Sequence, residues 1–329
     1  MKAFAYAEPQ TEADALGVLA DPSRTTEILA GGTDVIGLMK KMIVTPDVVV
    51  NIMEIDALKR IETQPDGGLK IGAAVTLDML LDSPDVARWP AVQQAISSFG
   101  SLQLQCQSTI GGDLCQRPQC WYFRSGHGLL AAGGTLVAQG DNRHHAIFGN
   151  DGPAKFVSGS RVGPALIAHG ASVRVASAEG ERVVPLASLF RTPRHEAERE
   201  TTLRRGELLT HVLLPANDGW TSGVYEVRAS EGPDYPLAAA AAALKISAGV
   251  VRQANIVLGQ VAPTPWISEA AAHAIEGMPV SEAAAEAAGQ VAVQAATPLK
   301  DNAYKVRLAK TCVKRAILRA AGFSTGGFE

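Results

Sequence analysis

Two short glycine-rich segments constrain this chain more than any other feature of its sequence. The first bend, AGGTD, covers residues 30–34, and the second bend, TIGGD, covers residues 109–113. Paired glycines leave backbone N–H groups uncovered and allow positive φ, so such a bend can form a nest whose donors converge on an anion. Either bend alone is equally typical of an ordinary turn. Together they indicate a site that holds one diphosphate from both sides.

The residues around the first bend predict a strand, a turn and a helix. The strand is predicted around Glu27–Ala30, and the apolar residues after Asp34 predict a helix for which Asp34 is the N-cap. A further buried strand is predicted at Val48–Ile52. Because a helix N-terminus has unpaired N–H groups and partial positive charge, this turn favours a phosphate. A third glycine pair, AGGT at 132–135, has no cap or helix signal after it and is interpreted as an ordinary turn.

Composition excludes several classes of protein. With 329 residues, 47% hydrophobic and 19% charged, the chain suits two or three packed subdomains. The net charge is -3 and no basic stripe is present, which argues against binding to nucleic acid. The longest apolar run, at 236–244, is too short to cross a bilayer, and the first twenty residues lack the apolar core of a secretory signal. We expect a cytoplasmic protein without nucleic-acid or membrane partners.

Cysteine and histidine spacing predicts no metal site in this chain. The cysteines are Cys106, Cys115, Cys120 and Cys312, and they form no CxxC pair. The adjacent His144 and His145 have no further ligand at metal-binding spacing. No Ser-His-Asp, paired-carboxylate or catalytic-cysteine pattern is evident either, so no catalytic side chain is predicted.

The remaining chain predicts an antiparallel sheet followed by a second domain. Apolar alternation predicts strands near 69–75, 171–177 and 207–215, and the polar stretch after Pro215 indicates a domain boundary. The alanine run at 238–244 looks helical from propensity alone. Cap and stop signals predict three later helices, at Ser268–Ile275, Ser281–Ala296 and Asn302–Ala321.

Longer motifs resemble a known family. They are TIGGDLCQRPQCWYFR at 109–124, GDNRHHAIFGN at 140–150, LGQVAPTP at 258–265 and LKDNAYKVRLAK at 299–310. In this order and spacing they resemble the FAD-binding medium subunit of the xanthine dehydrogenase and carbon monoxide dehydrogenase class of molybdenum hydroxylases. The CWYFR and GDNRHHAIFGN runs look most like the FAD subunit of three-subunit bacterial aldehyde oxidoreductases.

The resemblance implies an α+β fold. A PCMH-type FAD-binding domain would cover 1–216, with a small α/β subdomain at about 1–54 and a mainly antiparallel sheet subdomain at 55–216. A C-terminal domain at 217–329 would contain a three-stranded sheet and helices. In this arrangement the alanine run at 238–244 is a strand, and we follow the resemblance there.

The resemblance also implies that FAD lies between the two bends. One wall would be 29–35 and the other 109–113, and alignment adds an aromatic and an aliphatic residue beside the cofactor. The implied FAD-binding residues are Leu29, Ala30, Gly31, Gly32, Thr33, Asp34, Val35, Phe99, Thr109, Ile110, Gly111, Gly112, Asp113 and Leu209. None of them is assigned a catalytic role, because the cofactor carries the chemistry.

Several positions depart from the family pattern. Asp113 stands where the family usually has Asn, and Gln105 with Cys106 replaces an Arg-Asn pair. Arg161 follows Ser160 where the family has Asp, and Glu226 replaces a lysine. These changes are expected to alter flavin affinity or redox potential. Some relatives also carry an iron-sulfur cluster in the insertion after the second bend, for which this insertion has too few cysteines.

The resemblance implies a place in an electron-transfer chain. Substrate would be oxidised at the molybdenum cofactor of a large subunit, and electrons would pass through [2Fe-2S] clusters of a small subunit to FAD in this chain. FAD would then reduce an external acceptor such as NAD, ferredoxin, a quinone or oxygen. Two alternatives stay open: a stand-alone FAD-dependent oxidoreductase, and a degenerate scaffold subunit that binds no flavin.

Overall fold

The computed structural model describes residues 1–230 and 232–325 and contains three β-sheets. The first sheet is parallel, in the order β1-β3-β2, and is the small α/β unit expected at the start of the chain. Its strands are β1 (Ala5–Ala7), β2 (Thr26–Leu29) and β3 (Val48–Asn51), with the helices α1 (Glu12–Leu19) and α2 (Val35–Lys40). The first bend therefore connects β2 directly to α2, as the sequence predicts.

The second sheet is antiparallel and has five strands in the order β4-β5-β8-β6-β7. The strands are β4 (Ile61–Thr63), β5 (Leu69–Gly72), β6 (Ser172–Ser177), β7 (Gly180–Pro185) and β8 (Leu208–Leu214). The helices of this part are α3 (Leu77–Asp82), α4 (Pro90–Ser97), α5 (Leu102–Gln107), α6 (Ile110–Leu114), α7 (Trp121–Arg124), α8 (Thr135–Gln139) and α9 (Gly163–Ala168). Short 3-10 helices occur at Asp56–Lys59, Val86–Arg88 and Leu186–Leu189.

The third sheet has the order β12-β11-β10-β9 and is covered by helices. Its three long strands are the expected ones, and a two-residue strand is added at one edge. The elements are β9 (Thr221–Val227), β10 (Ala238–Ser247), β11 (Val250–Gly259), β12 (Trp266–Ile267), α10 (Glu269–Ile275), α11 (Glu282–Ala292) and α12 (Tyr304–Ala320). The α+β fold class is thus confirmed.

The alanine run at 238–244 forms the first part of β10, against its helix propensity. Alternate residues of the run enter two different cores. Ala241 and Ala243 pack with the antiparallel sheet, whereas Ala240 and Ala242 pack with the C-terminal helices. A strand buried on both faces between close neighbours favours small side chains, so tertiary packing overrides propensity here.

The insertion after the second bend has its own small apolar core. Its buried members are Leu38, Cys120, Phe123, Leu129, Leu130, Ala154 and Phe156. The glycine pair at 132–135 precedes α8, so the expectation that no helix follows it is wrong. No helix in the part of the chain described here is both long and apolar enough to span a bilayer.

Candidate functional site

A cleft of about 320 Å³ lies between the two glycine bends. This volume is at the lower end of the range for small-molecule sites, roughly 300–1,000 Å³. A third wall comes from the segment that enters β8, residues 199–209. The lining residues from the three walls are Ala30, Gly31, Gly32, Thr33, Asp34, Val35, Thr109, Gly111, Gly112, Arg199, Thr201, Leu203, Arg204, Arg205, Gly206, Glu207, Leu208 and Leu209.

The first bend is in direct contact with Gln107 and Ser108, the two residues that precede the second bend. A Cβ added at Gly31 would lie 1.5 Å from the carbonyl oxygen of Gln107, so only glycine allows this approach. Beside it, the Ser108 hydroxyl donates to Thr33 Oγ1 at 3.2 Å. Gly32 has a φ of +73°, which favours glycine at the turn itself. The structure therefore places next to each other the two glycine-rich segments, which are far apart in the sequence.

The first bend presents free backbone donors. Within the described residues, no backbone N–H from Gly31 to Val35 has a recorded hydrogen-bond partner. These groups belong to a turn with positive φ at the start of α2, where N–H groups and the helix dipole favour an anion. This is the arrangement expected of a diphosphate nest.

The second bend differs from the first, because its donors are already used. Ile110 and Gly111 donate to the carbonyls of Val75 and Ala73 at 2.9 Å each. The N–H of Gly112 donates to Thr109 Oγ1 at 3.1 Å. The expectation that both bends are nests is therefore wrong. The glycines of the second bend help to form the cleft wall, and only the first bend has N–H groups without a partner among the described residues.

Asp34 occupies the N-cap position of α2, but its side chain does not cap the helix. The carboxylate instead accepts from the Arg117 N–H at 2.9 Å and from the Arg124 guanidinium at 2.6 Å. Arg124 belongs to the insertion and is ionised, so its bond to Asp34 is charge-assisted and stronger than a bond from a helix N–H group would be. The negative charge of Asp34 is thereby neutralised beside the nest.

Arginines add positive charge to the cleft. Arg117 pairs with buried Glu200 at 2.5 Å. Arg205 donates to carbonyl oxygens of the loop before β2, including that of Pro22 at 2.9 Å, and no carboxylate pairs with it among the described residues. Burial raises the pKa of the Cys115 thiol to about 12, so this lining residue is neutral. Four arginines line the cleft against the three carboxylates of Glu27, Asp34 and Glu207, and this excess of positive charge favours a phosphate-bearing ligand.

Asp113 faces away from the cleft. Its carboxylate accepts from the Ser160 hydroxyl at 2.5 Å and from the N–H groups of Arg161 and Val162 at 3.1 Å each. Burial raises the pKa of Asp113, while these three bonds oppose the change. The carboxylate is thus bound to the loop at 160–162.

The other departures from the family pattern, Arg161 and Glu226, contact each other. Arg161 Nη2 lies 2.8 Å from Glu226 Oε1, and the side chains are only 3% and 11% exposed. The guanidinium also lies 4.3 Å from the Phe99 ring centroid and donates to the Ser98 carbonyl at 2.6 Å. Burial raises the pKa of Glu226, and Arg161 lowers it. Where the family is expected to have Asp and Lys, this chain has a pair of reversed charge.

Not every residue implied by the resemblance lines the cleft. Phe99 and Asp113 line an adjoining cavity of about 60 Å³, which shares Thr33, Asp34 and Gly112 with the cleft. Leu29 ends β2 beside the first bend, and Ile110 is buried in the core. The other ten lie in the cleft wall.

Sequence reasoning missed the wall at 199–206 and Tyr235, which lines the adjoining cavity. Arginines and a single glycine in an irregular segment have no local signature of a site. Within residues 1–230 and 232–325, no group of three or more His, Cys, Asp or Glu side chains is placed to hold a metal ion.

Comparisons with known proteins identify the family of both parts of the chain. Residues 2–217 match the family described as the FAD binding domain in molybdopterin dehydrogenase, and residues 224–320 match the CO dehydrogenase flavoprotein C-terminal domain. The chain is 30% identical over 327 residues to the aldehyde oxidoreductase FAD-binding subunit PaoB of Escherichia coli, with 97% of this chain and 99% of that protein covered.

Two further relatives extend the match. The carbon monoxide dehydrogenase medium chain of Afipia carboxidovorans is 27% identical over 322 residues, covering 96% of each chain. The crystal structure of quinoline 2-oxidoreductase from Pseudomonas putida 86 has a chain that superposes with a TM-score of 0.77 at 25% identity, covering 98% of this chain and 99% of that one. The chain therefore belongs to the family of FAD-binding medium subunits of the molybdenum hydroxylases.

Proposed function

We propose that this chain holds FAD with its diphosphate on the first bend and passes electrons from iron-sulfur clusters of a partner subunit to an external acceptor. The observation that carries the proposal is the set of N–H groups from Gly31 to Val35, which have no hydrogen-bond partner among the described residues and belong to residues that line the cleft. The dinucleotide would extend along the wall at 199–209 and past Leu209.

FAD supplies the redox chemistry when bound, and the chain's own residues bind and orient it. The first bend donates to the diphosphate, and Arg205 adds positive charge nearby. The buried Arg161–Glu226 pair beside Phe99 would lie near the flavin ring. No acid or base of this chain is needed for proton abstraction from substrate.

The relatives indicate the assembly. Proteins named as medium chains or FAD-binding subunits of aldehyde oxidoreductase and carbon monoxide dehydrogenase match nearly the whole chain. We infer a large subunit with the molybdenum cofactor, a small subunit with [2Fe-2S] clusters, and a cytoplasmic location unless a partner carries the assembly across a membrane. The FAD-binding part would be 1–216, and 217–329 would be the C-terminal domain.

The test is purification of the chain with and without its co-expressed partner subunits. Flavin absorbance near one FAD per chain supports the proposal. Colourless protein that does not bind FAD when FAD is added indicates a scaffold. Co-purification with molybdenum and iron-sulfur polypeptides is expected. A yellow chain that oxidises substrates alone and binds no partner would instead identify a stand-alone oxidoreductase.

A further inference from the structure

A second cavity, of about 350 Å³, lies outside the proposed FAD site. It is as large as the cleft, and no residue of it has a role in the function proposed above. One wall comes from the insertion, at 119–121, 144–145 and 156–157, and the other from the connection between β9 and β10, at 229 and 234–237. The cavity therefore lies where the FAD-binding part meets the C-terminal sheet.

Three aromatic side chains and two histidine rings are among the thirteen residues that line this cavity. Trp121, Phe156 and Tyr235 line the cavity. Two histidine rings hold Trp121 at its edges, with centroid distances of 5.4 Å to His144 and 5.6 Å to His145. Aromatic rings favour offset-stacked or edge-to-face partners. A flat aromatic ligand matches this lining better than an aliphatic or a sugar-like one.

The charge of the cavity argues against a phosphate-bearing ligand. Among the described residues that line it there is no Lys or Arg, and Asp234 is the one carboxylate. Burial lowers the pKa of His145 to about 4, so its imidazole is neutral near pH 7. Phosphate recognition depends on cationic or backbone N–H donors. An uncharged ligand fits, and a nicotinamide dinucleotide does not.

The second cavity and the small cavity beside the FAD cleft share one lining side chain. Tyr235 lines both the second cavity and the small cavity that contains Phe99 and Arg161. Its hydroxyl is hydrogen-bonded to the Gln119 amide at 3.0 Å and to the Gln116 amide. Gln116 lines the FAD cleft, and Gln119 lines the second cavity. A ligand here would therefore be next to the flavin site but not in it.

We propose that the second cavity binds the electron acceptor, and that this acceptor is an uncharged planar quinone. The inference rests on the proposed function, because the reduced flavin is the source of the electrons. Two electrons leave reduced FAD, which also releases two protons, and the two quinone oxygens take up two electrons and two protons to give a hydroquinone.

The test blocks the cavity at its exposed rim. In Ala229→Trp an indole is added at a lining position outside the core. Ala178→Trp is the matched control, because Ala178 is an exposed residue of the β6–β7 turn. The full-length FAD-loaded chain is reduced anaerobically with one equivalent of dithionite and mixed with menadione at increasing concentrations. Flavin reoxidation is followed by absorbance.

We expect saturation with menadione in the unchanged chain. The half-saturating concentration should rise at least about tenfold in Ala229→Trp, which corresponds to about 1.4 kcal/mol, and stay unchanged in the control. Reoxidation by oxygen should be equal in all three proteins. Non-saturating reoxidation, or equal menadione constants, would overturn the proposal. If NAD reoxidises the flavin faster than menadione does, and Ala229→Trp blocks the reaction with NAD, the acceptor is not a quinone.

A second variant covers failure of the first to fold. Val157→Phe fills the cavity from the opposite wall, and equilibrium dialysis of menadione against the oxidised protein should show reduced binding. The FAD content separates the two proposals. A chain without FAD contradicts the proposed function, whereas a chain with full FAD and no quinone binding contradicts only the acceptor site.

Discussion

The carbonyl oxygen of Gln107 lies where a side chain at residue 31 would have to be, at 1.5 Å from the ideal Cβ position. Gly31→Ala must therefore push the first bend away from Gln107, which lies two residues before the second bend. We expect at least a tenfold loss of FAD affinity, or about 1.4 kcal/mol, because the cleft loses its closed geometry. The FAD-to-protein ratio after dialysis, read from the visible spectrum, measures it.

Gly37→Ala is the matched control for this substitution. Gly37 lies in α2, six residues further along, and nothing lies within 4 Å of the position of its Cβ. Alanine is favoured over glycine in a helix by up to about 1 kcal/mol, so the melting temperature should rise slightly and FAD should be retained. Equal FAD loss in both variants would contradict the role given to contact between the first bend and Gln107.

The buried pair of Arg161 and Glu226 makes a second prediction at this scale. Glu226 also lies 3.2 Å from Arg228 Nε, so Arg161→Asp or Glu226→Lys alone places a like charge inside a buried charge cluster and should cost about 3–5 kcal/mol of unfolding free energy. The double variant restores opposite charges in the order that the resemblance implies, and it should regain at least about 2 kcal/mol. Urea denaturation of the four proteins measures the coupling.

Losses that simply add in the double variant would refute a coupled pair. Lys59→Gln serves as the surface control, since it breaks the exposed Lys59–Asp56 contact, and it should cost less than about 1 kcal/mol.

The residues of the first bend were predictable because a glycine pair after a strand is a local signal. The state of the second bend was not, because its N–H groups are used by Val75 and Ala73, which the sequence does not bring near it. Asp34 also looked like a side-chain cap, and only the fold shows that Arg124 competes for its carboxylate. Long-range partners therefore set the limit of residue-level prediction.

At the scale of elements, α12 is joined to the rest of the chain by a buried lysine. Lys305 Nζ donates to the carbonyl oxygens of His144, His145 and Gln260, at 3.2, 3.1 and 2.8 Å. Burial lowers the pKa of Lys305 to about 7. His144, His145 and Gln260 also line the second cavity, so this ammonium fixes part of its wall.

The shifted pKa of Lys305 predicts a pH dependence of stability. In the unfolded chain the pKa returns to about 10.4, so between pH 7 and 10 the unfolded state binds more protons than the folded state. The contribution of Lys305 to stability therefore rises with pH in this window. The difference in unfolding free energy between the unchanged chain and Lys305→Met should grow by at most about 1.4 kcal/mol per pH unit.

Urea denaturation at pH 7, 8 and 9 measures this slope. Lys300→Met is the control, because it makes the same substitution at an exposed lysine. A pH-independent difference between the unchanged chain and Lys305→Met would show that Lys305 keeps an ordinary pKa in the folded protein.

Elements with one exposed face were the easiest to predict. The strand at 172–177 follows the alternation of its apolar residues, and the three C-terminal helices begin and end near their predicted cap and stop signals. β10 was different, because its alanines favour helix and only the resemblance predicted a strand. The wall at 199–206 has no regular structure, so no periodicity marks it.

For the whole molecule, the two proposed domains share one core. Val224 and Ala241 of the C-terminal sheet pack into the cluster of the antiparallel sheet. The Ala91 N–H donates to Ser222 Oγ at 3.0 Å, and the Val224 N–H donates to Gln94 Oε1 at 2.8 Å. These contacts link α4 to β9 across the proposed boundary.

This shared core predicts a single cooperative unfolding transition. In differential scanning calorimetry of the full chain, the calorimetric and van't Hoff enthalpies should agree. A fragment of 1–216 should be much less stable than the full chain, because removal of 217–329 exposes the shared core to water. Two resolved transitions, or a fragment as stable as the full chain, would contradict this prediction.

The reversed ion pair joins the two segments that match separate families, since Arg161 lies in 2–217 and Glu226 in 224–320. A hybrid gene that takes one segment from a lineage with Asp and Lys at these positions would place two carboxylates, or two cations, together in the interior. A recombinant of such lineages is therefore expected to fold only when both segments come from the same parent. The signs of the charges at positions 161 and 226 should identify which parent chains can be combined.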